Sequence, residues 1–483
     1  MVAYPSMRRL NGMDAMLLYS ETPNLHTHTL KVAVIDASGY DGDYGFDAFR
    51  RTVARRLHLL DPLRYRLIDI PWRLHHPMWL EDCPVDLDYH LRRVRVPAPG
   101  RRRELDRVIG EIASTPLDRT RPLWEFHFAE GMADNRFALI GKVHHTLADG
   151  VASANLLARL MDLAGPVQDE RDEPPTPCRE PSSAELLREA QLDHFRKIAE
   201  LPGLLTDAAR GVSRLRRRAR ERRDDPDLAK PFNAPPTFLN HVVSPVRTFA
   251  TASLSLAEVK ETTKYLGVTF NDVVLAVAAG GLRELLLRYD GRADRPIMAT
   301  VPVSTDKSTE RITGNEIGGM MVSLPVHIDD PLERLKLTSV ASTRAKEANE
   351  LLGPTSQGRM LEYLPPLAPA LFRAHAKRAR RNRLMNVAIS NVPGPRRRGH
   401  IGGAPVSEIY SVGVLSAGSA FNMTVWSYVD QLDVAILSDD RTFDDTHEAT
   451  DAMVHAFDEL RQACGLPRAG VIDSAMAPAT AEG

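Results

Sequence analysis

The chain has 483 residues, more than one ordinary core absorbs, so two domains are the natural organisation. An apolar share of 43% beside 26% charged residues is that of a globular protein, and a formal net charge of -1 leaves no global field to draw nucleic acid. The three cysteines, Cys83, Cys178 and Cys464, form no Cys-x-x-Cys, which argues against a zinc ribbon or a disulfide framework and fits a reducing cytoplasm.

The first residues lead into no apolar signal segment, and no uncharged apolar run approaches the roughly 20 residues that a membrane span needs. Residues 30–36 read as a strand, 46–57 as an amphipathic helix and 104–112 as another helix. Residues 116–125 make a turn-rich approach to a strand at 126–130. Residues 137–141 form a short apolar run that reads as a buried strand, and 151–161 have the spacing of a helix packed on it. Between the two runs Lys142-Val143-His144-His145-Thr146-Leu147-Ala148-Asp149-Gly150.

Two histidines thus leave a strand end and meet an Asp-Gly pair that opens a helix. Asp149 at the helix start accepts from free backbone amides, and Gly150 permits a close approach. An imidazole held at a strand end is placed to act as a general base near neutral pH. A lone His-His pair is more often a core or surface feature. Metal binding is disfavoured by the lack of a nearby Cys or Glu and of a helical His-x-x-x-His spacing.

From Gly165 the composition changes. Residues 168–183 are acidic and proline-rich and read as an exposed linker. A helical stretch over 183–223 follows, interrupted at Pro202-Gly203, and ends in a dense basic run at 214–223. Such a run is usually a solvated face; the alternative is contact with an anionic membrane surface. The second half shows a strand at 252–256, a helix at 256–266, and a long helix to Tyr289 that Asn271 is placed to cap. Residues 297–303 and 319–326 read as strands, and Pro302 and Pro325 mark them as edges or strand ends. A strand at 387–390 ends in Asn391-Val392-Pro393-Gly394-Pro395, and 422–428 with 431–438 suggest a hairpin at Val429-Asp430. The expected division is 1–165, a linker at 166–230, a second domain at 231–465 and a disordered tail at 466–483.

Pro122-Leu123-Trp124, the His-His-x-x-x-Asp-Gly stretch, Asn271-Asp272 and Ser390-Asn391-Val392-Pro393-Gly394-Pro395 occur in this order across the chain. The set resembles the bacterial wax ester synthase/acyl-CoA:diacylglycerol acyltransferases, within the superfamily of chloramphenicol acetyltransferase and peptide-synthetase condensation domains. The likeness spans residues 8–465. It implies an α/β fold of two chloramphenicol-acetyltransferase-like halves with mixed sheets around a central tunnel. The polar run Leu25-His26-Thr27-His28-Thr29 departs from the family pattern.

The resemblance implies transfer of a long-chain acyl group from acyl-CoA, as substrate, to diacylglycerol or a long-chain alcohol, with no cofactor and no metal. His145 is the expected base, His144 packs and orients the loop, and Asp149 fixes it, by pairing with an arginine elsewhere. Gly150 leaves space beside the reacting carbonyl, while Asn271, Ser390 and Asn391 are candidates to line the substrate path. Asn271-Asp272 and Ser390-Asn391 read equally as an ordinary cap and a turn. Two other readings stand beside this: condensation-type transfer to a polyketide or other non-glyceride acceptor, and a non-catalytic lipid-binding protein. The apolar residues 361–372 followed by Arg373, Lys377, Arg378, Arg380, Arg381 and Arg383 suggest a peripheral contact with the inner face of a membrane or with lipid bodies.

Overall fold

The computed structural model describes residues 6–164, 179–222, 226–306, 308, 310–353, 356–363 and 368–473. The chain opens with β1 (Met7–Arg9), α1 (Gly12–Ser20), β2 (His28–Asp36), α2 (Phe46–Arg56), β3 (Arg66–Ile68) and β4 (Met78–Leu80). Next come α3 (Leu87–His90), β5 (Leu91–Arg95), α4 (Arg102–Ala113), β6 (Trp124–Glu130), β7 (Arg136–His144) and α5 (Gly150–Leu160). The long α6 (Ser183–Glu221) leads to β8 (Arg247–Ser255), α7 (Leu256–Leu266), α8 (Phe270–Tyr289), β9 (Ile297–Ser304) and β10 (Ile317–Leu324). α9 (Pro331–Leu352), α10 (Ser356–Leu361), α11 (Ala368–Ala376), β11 (Val387–Pro393), β12 (His400–Ile401) and β13 (Ala404–Val412) follow. β14 (Phe421–Tyr428), β15 (Gln431–Asp439), α12 (His447–Ala463) and β16 (Val471–Asp473) close the described chain.

Two mixed sheets organise these elements, as the α/β reading expects. One has the order β12-β13-β2-β7-β6-β5 and the other β10-β9-β11-β14-β15-β8-β16; a small third sheet is β1-β4-β3. The six-stranded sheet is not made by the first half alone. β13 crosses from the second half to pair antiparallel with β2, Val412 opposite Leu30 and Tyr410 opposite Val32. Sequence spacing does not predict β13, because its register shifts between Val406 and Glu408 and breaks the apolar alternation on which strands are recognised.

The second core surrounds α8, which is buried on nearly every side by α9, α12 and its sheet, as befits a helix apolar all round. Among the described residues no single helix is long and apolar enough to cross a membrane. α7 and α8 together pass on length and composition only and are bent by 102°. Pro302 lies on β9 beyond its last pairing with β11, on a free edge, and Pro325 follows the end of β10.

Three expectations are corrected. Asn271 does not cap α8: Thr269 does, accepting from the Asp272 amide while Asp272 returns the bond to the Thr269 amide, so Asn271 lies inside the first turn. Pro202 does not interrupt α6, which runs through it. The carbonyl that its ring deprives of a donor belongs to Ile198, an exposed residue on the outer side of the helix. The chain past Gly465 is ordered as far as β16, which pairs with β8 at the sheet edge. Most of the proline-rich stretch, residues 165–178, and the end of the tail, 474–483, lie outside the described residues.

Candidate active site

β7 lies between β2 and β6, and its last residue, His144, stands opposite His28. The Pro122-Leu123-Trp124 turn anchors this end. The Leu123 carbonyl accepts from the His144 amide at 2.9 Å, and Trp124 pairs with Val143. Trp124 is fully buried, stacked on His90 at 4.3 Å and donating Nε1 to the Leu63 carbonyl at 2.7 Å. This tryptophan serves packing.

The two histidines differ in what holds them. The His144 ring is buried: Nδ1 accepts from the Thr146 amide at 3.2 Å and meets the Thr146 hydroxyl at 2.8 Å. Nε2 therefore carries the proton and faces the Thr27 hydroxyl at 2.9 Å, with Glu21 at 3.6 Å behind it. Thr27 comes from the polar run that departs from the family pattern, and its neighbours His26 and His28 both bond the Ala113 carbonyl. Glu21 is also ion-paired with Arg119, and its carboxyl is held well below the usual range: burial opposes the charge, and His144 and Arg119 overcome it. Both His144 nitrogens are committed.

His145 is the first residue past β7. Its amide donates to the Thr27 carbonyl at 2.8 Å and its carbonyl accepts from Asn315 Nδ2 at 2.7 Å, so the backbone is fixed on both sides. Its Nδ1 is buried and has no hydrogen-bond partner among the described residues. Burial lowers its pKa and the nearby Lys31 lowers it further, against its own carbonyl and Asp149, which favours the unprotonated ring. Leu139, Gly141 and Val143 share one face of β7 by strand alternation. Between that face and α5 lies a small apolar pocket of about 30 Å³ lined by Leu156, Leu157 and Leu160, with Lys31 and Ser153 as its polar lining. Lys31 donates to Ser411 of β13 at 2.7 Å and lies over Trp426, and burial lowers its pKa to about 8.

Asp149 caps α5 and is buried. It accepts from the Ala152 amide at 2.9 Å, from Arg311 Nη2 at 3.0 and 2.9 Å, and from the Glu316 amide at 3.0 Å. The loop backbone is also tied to the second half, Gly314 donating to the Leu147 carbonyl at 2.7 Å and Thr313 to the same oxygen at 2.9 Å. Asn315 joins this clamp to α1: its Nδ2 also donates to Asp14 at 2.6 Å, and burial raises the Asp14 carboxyl to about 7. Asp149 therefore holds the loop and is not hydrogen-bonded to His145.

The remaining candidates divide between two faces of one strand. Gly150 abuts Val392 of β11: an added Cβ would come within 3.1 Å of the valine, so its smallness admits the second half's strand. Ser390 shares the Val392 face by strand alternation. Asn391 is on the opposite face, its Nδ2 donating to Asn271 Oδ1 at 3.5 Å beside the start of α8. Ser390 thus faces the His144–Gly150 loop, whereas Asn271 and Asn391 lie around the strand's edge from it. Arg311, Asn315 and Asp14 were not among the residues picked out, although an arginine for Asp149 was expected. The only local signal is a turn-forming Gly314-Asn315 between two strands.

A family model described as the wax ester synthase/diacylglycerol acyltransferase catalytic domain matches residues 10–274, and that family's C-terminal domain matches 313–461. A Mycobacterium tuberculosis protein named as a candidate diacylglycerol O-acyltransferase is 52% identical over 475 residues, covering 98% of this chain and all of its own. A second such protein of that organism is 37% identical over 442 residues, covering 90% of this chain and 92% of its own. Among solved structures, a wax ester synthase/diacylglycerol acyltransferase of Marinobacter aquaeolei superposes with a TM-score of 0.66 at 27% identity, over 95% of this chain and 100% of that one. The first condensation domain of the CDA synthetase, at 14% identity and a TM-score of 0.55 over 97% and 99% of the two chains, shares the fold.

Proposed function

The chain belongs to the wax ester synthase/diacylglycerol acyltransferase family and is an acyltransferase, and from that premise we propose that it moves a long-chain acyl group from acyl-CoA to the hydroxyl of diacylglycerol, and to long-chain alcohols. The observation that carries the reading is the division of labour in the His144-His145 pair. One ring has both nitrogens bonded; the other is held rigidly by its backbone and keeps a nitrogen with no partner among the described residues.

His145 takes the proton of the acceptor hydroxyl as its oxygen attacks the thioester carbonyl. The tetrahedral intermediate collapses, the carbon–sulfur bond breaks, and the imidazolium returns the proton to the departing thiolate. His144 and Asp149 make no bond to the reacting atoms. They hold the loop, and the Arg311–Asp149 pair keeps it docked on the second half.

Peripheral contact with a cytoplasmic lipid surface is part of the proposal, since such acceptors and products are nearly insoluble. Trp72, Phe195, Ile198 and Leu371 are 79%, 73%, 65% and 66% exposed. The Trp72 turn is tied to α6 through His194 and the Leu74 carbonyl, and Arg73 shares a cleft with Arg119 and Arg373 beside α11. Apolar side chains ringed by arginine suit an anionic interface. Leu364–Leu367 of the apolar segment lie outside the described residues.

Incubation of the purified protein with labelled palmitoyl-CoA and, separately, diacylglycerol, hexadecanol and a carrier-borne acceptor tests the reading, with the lipids presented in anionic or neutral vesicles. Labelled triacylglycerol or wax ester, formed faster on anionic vesicles and slowed by salt, is expected. Transfer to the carrier-borne acceptor alone would overturn the substrate assignment, and indifference to vesicle charge and salt the surface one.

A further inference from the structure

The basic run that ends α6 does not face open solvent throughout. Arg218 and Arg222 turn toward α9 and both bond Glu347. With Lys336 and Arg344 they line a groove of about 640 Å³ between α6, α9 and the α7–α8 turn. Among the described residues four basic side chains and the Glu347 carboxylate line it, Glu221 pairing with Arg218 from the side, and Leu266, Val268 and Val340 add apolar wall. The groove is thus cationic and amphipathic in a chain with almost no net charge.

Its inner end touches the motif residues. Ser339, on the groove wall, donates to Asp272 Oδ2 at 3.3 Å, and the other Asp272 oxygen is buried without a partner among the described residues. Asp272 follows Asn271, which meets Asn391. The next residue, Val392, packs on Gly150 at the head of the catalytic loop. A continuous series of contacts therefore runs from the groove, around the end of β11, to the loop that carries His145.

We infer that this groove holds the anionic nucleotide end of the acyl-CoA donor, its phosphates on Arg218, Arg222 and Lys336, with the pantetheine arm leading past Asn271 and Asn391 toward His145. The inference rests on the acyl-CoA reading above and adds the place where the donor's charge is held. Guanidinium and ammonium groups are the donors that phosphate oxygens take, and an apolar wall suits the adenine face.

Phosphate could equally come from a lipid headgroup, but the groove is poorly placed for that. The exposed Phe195 and Ile198 are about 30–40 Å away along α6, at roughly 1.5 Å per residue. A second basic cleft, around Arg51, Arg55 and Arg56, lies near the far end of α5 from the catalytic loop, and Arg56 is spent on the carbonyls of Arg159 and Met161.

Calorimetric titration of the full-length protein with CoA, dephospho-CoA and 3′,5′-ADP at low salt tests the site without needing turnover. Wild type should bind CoA more tightly than dephospho-CoA. Lys336→Glu, at an exposed position, should weaken CoA about ten-fold, as expected for loss of one charged hydrogen bond, and narrow the gap between the two ligands. The double variant Arg218→Glu/Arg222→Glu should weaken it further, and Arg55→Glu in the other cleft should bind as wild type does. Equal CoA affinity in Lys336→Glu and wild type, or a loss confined to binding of anionic vesicles, would overturn the assignment, as would absence of CoA binding by wild type. Normal CoA discrimination without acyl transfer would sink the proposed reaction and leave the groove standing. Transfer with an unchanged KM for acyl-CoA in Lys336→Glu would do the reverse.

Discussion

His144 and His145 are adjacent and chemically unlike because the hydroxyls of Thr27 and Thr146 occupy one ring and leave the other alone. His145→Ala should cut turnover by about 10²–10⁴-fold, the usual worth of positioned proton transfer, while the thermal midpoint barely moves. His144→Ala should keep measurable transfer but lose about 1–3 kcal/mol of stability, since buried hydroxyls lose their partner. Asp149→Asn should lower activity and stability together, by on the order of 3 kcal/mol, because the buried Arg311 keeps only the half-exposed Asp306 as an ionic partner. Denaturation midpoints and initial rates on the three variants separate these roles, and near-normal turnover by His145→Ala would end the general-base mechanism. The motif was legible as His-His-x-x-x-Asp-Gly because its parts are neighbours in sequence. Arg311 was not, since it meets Asp149 across 162 positions and nothing local marks which of the chain's arginines does so. Asn271 misled for the opposite reason: it is itself a good capping residue, and the Thr269…Asp272 box beside it takes precedence.

Among the elements, α12 is joined to α4 by a titratable clamp. His447 bonds Asp106 through Nε2 at 3.1 Å and Asp445 through Nδ1 at 2.9 Å, while Arg103 holds Asp445 from outside and Asp451 stands one turn on. Burial opposes a charge on His447, but the two carboxylates outweigh it and raise its pKa; the Asp445 carboxyl falls to about 2. A histidine whose folded pKa is raised contributes stability that is complete below its unfolded value of about 6.5 and is lost as pH rises through the folded value. Asp14 and Asp433, raised by burial to about 7 and about 8, also lose stability as pH rises, so the difference between variants is the informative quantity. The gap in urea midpoint between wild type and His447→Gln should shrink from pH 6 to pH 8.5; a constant gap would show that the clamp carries no proton. Helices with a clear apolar period, such as α4 and α7, were legible to within a few residues. β13 was hidden by its bulge, and the continuity of α6, though not its presence, by Pro202.

At the scale of the whole molecule, neither half is complete alone. A fragment of residues 1–230 contains the His144–Gly150 loop but lacks β13, Arg311 and Asn315, leaving the apolar edge of β2 uncovered. Expressed alone it should aggregate or melt without a cooperative transition, and co-expression with residues 231–483 should restore both solubility and activity. A soluble fragment with a sharp urea transition would show that the first sheet needs no donated strand. The donated strand also sets an order in time. A ribosome releases His144 about 270 residues before Val412, and at about 5–20 residues per second the nascent β2 waits some tens of seconds for its partner. During that interval the unpaired edge is a natural client for trigger-type chaperones, and codons that slow translation between α5 and β13 would lengthen the exposure without changing a single residue of the finished enzyme.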